Sequence, residues 1–205
     1  MKTTKPALPV RTGKSSSSQA VATAAGDTAA KLIESARSEF RRYGYSGTDS
    51  NKIARRAGFA PQTFYRWFGD KTEIFLAVYR AWEEDERKVL GGLVTARASG
   101  RRMGRAIIAH HRDYLLFRRS LRQLALEDPA VRKARAESRQ RQIAQIQNWA
   151  GAAAPDGQAL AILLLQLERL ADAAAEGEFA DLGIGDAAAE AAIAALLSRL
   201  RGGKG

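Results

Sequence analysis

The chain of 205 residues contains no cysteine, which excludes a disulfide framework and a thiol nucleophile and suits a cytoplasmic protein. Only two histidines are present. They are adjacent, and His110 and His111 would project about 100 degrees apart on a helix, a poor metal pair. No apolar run approaches the roughly 20 residues that a membrane-spanning helix needs, residues 159–165 being the longest candidate. No apolar segment of signal-peptide length precedes Ala22-Thr23-Ala24, so export is not expected. A Gly-rich phosphate loop and a nucleophile elbow are also missing. The expectation is a non-enzyme with no cofactor and no metal.

What the chain has in quantity is apolar content, 45%, and positive charge, a formal net +11. The first suffices for a packed core in one large or two small domains. The charge is unevenly spread, with twelve basic and four acidic side chains in residues 101–141 and the reverse bias in residues 142–205. A basic front half suits a polyanion. Arg132, Lys133, Arg135, Arg139 and Arg141 read chiefly as a solvated helix face, with an accessory nucleic-acid surface as the other reading.

Residues 48–71 carry the recognisable chemistry. Thr48 can cap a helix, with Asp49 favourable to its dipole, and Ile53, Ala54 and Ala57 give that helix a narrow apolar face. Gly58 is the residue type expected where a chain leaves a helix left-handed. Pro61 suits the first position of a second helix, whose buried side is Phe64 and Phe68. Two short helices around a turn containing glycine form the helix-turn-helix pattern. The outer side of the second helix carries Gln62, Thr63 and Arg66, fit to bond base edges or phosphates. Tyr65 can reach a phosphate, Trp67 a sugar or a thymine methyl, and Lys71 adds a nearby charge. A short amphipathic hairpin with a basic face is the plainer reading of the same residues.

The order of residues resembles more than a generic hairpin. Ile53-Ala54, Ala57-Gly58, Thr63-Phe64-Tyr65, Phe68 and Lys71, with Leu32-Ile33, Ala36, Phe40 and Gly44-Tyr45 upstream, resemble the DNA-binding domain of TetR-family transcriptional regulators. The resemblance covers about residues 29–78. It implies that Thr48, Gln62, Thr63, Tyr65, Trp67 and Lys71 fall at DNA-contacting positions and Arg66 at a variable one. Three residues depart from the pattern: Ala60 where a Ser or Thr cap is usual, Ser50 where an aliphatic is usual, and Glu39 where an apolar residue is common. The first removes a capping bond worth about 1 kcal/mol.

Residues 1–26, rich in Lys, Ser, Ala and Thr, are expected to form a disordered basic arm. Residues 27–71 form the three-helix DNA-binding domain, its first helix capped by Asp27. Residues 72–205 form a helical domain. Asp70 and Glu73 make a capping box opening a long helix through Ile74, Phe75, Val78, Tyr79 and Trp82. The expected fold is all-α with about nine helices. Met103, Ile107, His110, Tyr114 and Phe117 share one stripe. The resemblance implies an effector cavity, for which Trp82, Met103, Ile107, His110, Tyr114 and Trp149 are the candidate lining; any one of them taken singly reads first as core. A lipophilic or aromatic ligand would suit that lining.

The last helices carry Leu160, Leu163, Leu164, Leu167 and Leu170 on one and Ile193, Leu196, Leu197 and Leu200 on the other. Their narrow Leu and Ala seams suit either pairing within the subunit or a four-helix interface between two copies. The resemblance implies a homodimer joined there. The function expected is a ligand-responsive regulator, a repressor more than an activator, that binds a palindromic operator in double-stranded DNA and is released by a small molecule. The alternative is a helical bundle that binds a lipid or small molecule without reading DNA.

Overall fold

The computed structural model describes residues 15–151 and 154–200, with the backbone alone for 15–25, 149 and 150. Among these residues there are ten helices and no strand. The first three, α1 (Ser15–Tyr43), α2 (Ser50–Arg56) and α3 (Pro61–Tyr65), form the helix-turn-helix unit. Leu32, Ala36 and Phe40 on α1 meet Ile53 and Ala54 on α2 and Phe64 on α3, all fully buried. Gly44 and Gly58, at φ +68 and +80, release the chain from α1 and α2 in the left-handed region that a side chain would strain.

Two expectations about this unit are corrected. Helix α1 begins at Ser15, so it takes in residues 15–26 instead of leaving them in an arm. Ala20, Ala22, Ala24 and Ala25 are the strongest helix formers and carry the helix upstream. Asp27 lies inside it, paired with Lys31 at 2.7 Å, and does not cap it. Residues 1–14, with Lys2, Lys5, Arg11 and Lys14, lie outside the described residues. The cap of α2 is Asp49, which accepts the Lys52 N–H at 2.8 Å. Thr48 is turned inward because its hydroxyl donates to the buried Glu39 carboxylate at 2.8 Å.

Helix α4 (Lys71–Thr95) is about 37 Å long at 1.5 Å per residue. Asp70 accepts the Glu73 N–H at 2.8 Å, and the Glu73 carboxylate reaches back to the Gly69 N–H at 2.6 Å. Its first turns bury Ile74, Phe75 and Val78 in the same apolar cluster as Phe40 and Phe64, so the core does not stop at residue 71. That cluster continues through Tyr79, Trp82, Phe117, Leu121 and Val131.

The remaining helices are α5 (Gly100–Asp113), α6 (Leu115–Glu127), α7 (Pro129–Ala150), α8 (Gly157–Glu176), the short α9 (Glu178–Asp181) and α10 (Asp186–Leu200). Helix α5 lies so close to α10 that a Cβ on Gly104 would stand 2.8 Å from the Glu190 carbonyl oxygen. Helix α6 reaches back to the helix-turn-helix unit, where Ser120 Oγ accepts the Tyr45 N–H at 2.9 Å. The basic run of α7 is less solvated than expected: Arg135 and Arg139 pair with Glu168, and Arg141 pairs with Glu83.

Candidate DNA interface and ligand cavity

Helix α3 is only five residues long and lacks a side-chain cap, since Ala60 has no oxygen to offer. Phe64 and Phe68 hold it from below, both buried. Gln62, Tyr65, Arg66 and Trp67 are thereby left exposed, with Thr63 half-buried beside them. Tyr65 is 57% exposed, and its hydroxyl is tied to Ser50 Oγ at 2.7 Å. Ser50, a departure from the family pattern, therefore fixes where the phenol points.

Lys71 sits at the edge of this face. Its ammonium donates to the carbonyls of Tyr45 and Thr48 at 2.9 and 3.0 Å and lies 4.0 Å from the Tyr45 ring centroid. Burial lowers its pKa, with Asp49 opposing. An ammonium has three donors, so one remains for a phosphate. Thr48 is not presented to the outside: it is 4% exposed, and Glu39 holds its hydroxyl together with Arg56, whose guanidinium is 3.1 Å away. The third departure, Glu39, is thus a buried clamp between α1 and α2 that the sequence pattern gave no reason to expect.

A cavity of about 870 Å³ opens between α4, α5, α7, α8 and α10. Trp82, Met103 and Ile107 line it as the sequence suggested; His110 and Tyr114 do not. Tyr114 ends α5, and both rings turn instead into the packing around Trp82, with His110 5.2 Å from Trp82 and 5.2 Å from Tyr114. Burial lowers the His110 pKa. His111 takes its place in the lining. The side chain of Trp149 lies outside the described residues.

Charged groups also face the cavity. Burial pushes the Glu83 carboxyl up despite Arg141, and pushes the Tyr79 phenol up to about 12. Behind the wall Arg118, 1% exposed, lies over the Trp82 ring and donates twice to Asp172, each bond 3.1 Å. Burial alone would raise the Asp172 pKa, but bonds from His111 and Arg118 outweigh it and hold the carboxyl well below the usual carboxylate range. These groups come from helices far apart in sequence, and no local pattern announces them.

The sequence profile of the bacterial regulatory proteins of the tetR family matches residues 32–78, the span from α1 into α4. A crystal structure of a TetR-family transcriptional regulator from Pectobacterium atrosepticum, 25% identical, aligns over 85% of this chain and 92% of its own with a TM-score of 0.55. Residues 32–78 thus carry the DNA-binding segment of that family, and the chain as a whole has the fold of its regulators. A Rhodococcus sp. protein assigned to the same family aligns with a TM-score of 0.63 at 17% identity, over 86% of this chain and 99% of that one. The fatty acid degradation regulator FadR of Bacillus halodurans aligns at 0.53 with 15% identity, over 82% and 93%. No curated protein matches the chain in sequence.

With the TetR-like fold in view, the leucine stripes of α8 and α10 separate into two sets. Leu160, Leu163, Leu164, Ile193 and Leu200 are buried within the protomer, and Leu167 and Leu197 are half-buried and face the cavity. The buried set packs against α5 and α7 of its own protomer, with Ile107 and Ile108 on one side and Ile143 and Ile146 on the other. What stays outside is Ile162 and Leu165, 57% and 49% exposed, with a shallow groove flanked by Leu170, Leu196, Ala192 and Ala195. No helix among the described residues is long and apolar enough to cross a membrane.

Proposed function

We propose that the protein is a ligand-released repressor that binds a palindromic operator as a homodimer. Gln62, Thr63 and Arg66 read bases from the major groove, Tyr65, Trp67 and Lys71 hold the backbone, and residues 72–205 bind the effector and the second copy. Thr48 acts behind the surface by offering its carbonyl to Lys71. The two copies meet across Ile162, Leu165, Leu170 and Leu196, which sets two recognition helices about one DNA turn apart.

The observation that carries this reading is the span of α4. Its first residue, Lys71, is bonded to the helix-turn-helix unit, and the same helix carries Trp82 in the cavity wall, about 16 Å further on. A small lipophilic or aromatic molecule that fits one setting of α4 better than another shifts the spacing of the recognition helices, so that effector and DNA oppose each other by linkage. The test is Leu197→Trp, which fills the cavity from α10. Operator affinity should persist in this variant while release by effector is lost; release that survives a filled cavity would contradict the assignment.

A further inference from the structure

The carboxylates around the cavity differ in what neutralises them. Glu83 pairs with Arg141 at 3.1 Å, Glu84 with Arg87, Glu168 with Arg135 and Arg139, and Asp172, behind the wall, with Arg118 and Arg122. Among the described residues Glu86 has no arginine within ion-pair distance, and Arg118, committed to Asp172, acts on it only from further off. The partner of Glu86 is Nε2 of His111 at 3.4 Å, and Nδ1 of that ring is 2.9 Å from Asp172. An imidazole can donate to both carboxylates only as the cation; the neutral ring serves one and leaves the other bare.

Position sharpens the contrast. Glu83, Glu86 and Glu168 keep only 15–20% of their side chains exposed, whereas Arg80, Arg87 and Arg141, the arginines of the lining, are exposed. Within the lining itself the carboxylates are the more buried charges, while the buried Arg118 and the half-buried Arg135 stand behind it, each paired with a carboxylate. Leu90 on α4 and Ile107 on α5 line the cavity on the same two helices that carry Glu86 and His111. An anionic ligand would bring its charge against Glu86, the lining carboxylate without an arginine partner among the described residues, and a neutral one would leave Glu86 as it is.

We propose that the cavity takes an organic cation, a protonated or quaternary amine on a lipophilic body, with its charge seated against Glu86. The inference rests on reading the cavity as the effector site. The apolar majority of the lining holds the body, and the ligand supplies the fixed positive charge that His111 provides only when protonated.

Calorimetry on the full chain tests this with three phenylalkyl probes: 3-phenylpropyltrimethylammonium, its uncharged isostere with carbon in place of nitrogen, and the anion 5-phenylpentanoate. The cation should bind at least tenfold more tightly than the isostere, and the pentanoate most weakly. Glu86→Gln should bring the cation and the isostere to within about twofold of each other, Glu86→Asp should keep a reduced preference, and Glu137→Gln, a charge lost on α7 outside the lining, should change nothing. Circular dichroism confirms that each variant is folded, and Glu86→Asp decides the matter if Glu86→Gln is not. Equal binding of cation and isostere, tighter binding of the pentanoate, no binding of any probe, or a preference that survives Glu86→Gln would each overturn the proposal. Operator release is scored separately: a cation that binds through Glu86 yet leaves the DNA bound contradicts the regulator mechanism and not the ligand class.

Discussion

Tyr65 and Lys71 reach the proposed DNA-facing surface by different routes, and each route predicts a different loss. Tyr65 is exposed but oriented by Ser50, so Tyr65→Phe should weaken binding to every sequence, and Ser50→Ala should do the same to a smaller degree. Lys71 keeps one donor after bonding two carbonyls, so Lys71→Ala should lower affinity uniformly and reduce the salt slope by about one in a titration across KCl concentrations. An unchanged slope in folded Lys71→Ala protein removes it from the interface. Gln62→Ala should instead alter sequence preference, at about 1–3 kcal/mol for the preferred base. Buried charge makes a separate prediction. Asp172→Asn leaves the Arg118 guanidinium, 1% exposed, without its counter-ion, at a cost of about 3–5 kcal/mol at neutral pH in urea denaturation. Because the Asp172 pKa is depressed in the folded state, its contribution is complete above about pH 4, the unfolded carboxylate value, and is lost as pH falls through the folded value. The gap between wild type and variant should therefore narrow on acidification. A gap that stays constant down to pH 2 would contradict the role given to that carboxylate.

At the scale of the helix, α3 is a short element without a side-chain cap. Ala60→Ser should add a hydroxyl acceptor for its first turn and raise stability by about 1 kcal/mol, read as an upward shift in thermal midpoint. Gly104→Ala on α5 should do the opposite, since its Cβ would press on the Glu190 carbonyl and force α5 from α10. The helix-turn-helix unit was legible in the sequence because its signals are local: Pro61 starts a helix, Gly58 ends one, and Phe64 and Phe68 mark the inner face. The cap of α2 was misplaced by one residue because Thr48 and Asp49 are both good caps. Only the buried Glu39, nine residues upstream, decides between them. The cavity was half legible for a similar reason. Helical periodicity says that Met103, Ile107, His110 and Tyr114 face inward, but not which neighbour each meets, and α5 ends before Tyr114. The leucines of α8 and α10 repeat the lesson, since a stripe that suits a partner subunit suits the protomer's own core equally well.

For the whole molecule, the apolar cluster that runs from Phe40 through Phe75 to Phe117 and Val131 makes the helix-turn-helix unit and the helices that follow it one packed body. In the proposed mechanism, movement at the cavity reaches the DNA-binding unit by displacing α4 and α6, with Ser120 bonded to Tyr45 as the second tie. The face left uncovered by this packing predicts assembly. Leu165→Glu, on an exposed side chain that leaves the core intact, should give a folded monomer in sedimentation and a steep loss of operator affinity; a dimer that persists would place the interface elsewhere. The most direct test of the central claim is selection of genomic fragments by the purified protein at moderate salt, followed by footprinting of the enriched DNA. The account predicts a protected palindrome with half-sites about one helical turn apart. Weak protection indifferent to sequence and abolished by moderate salt would contradict it.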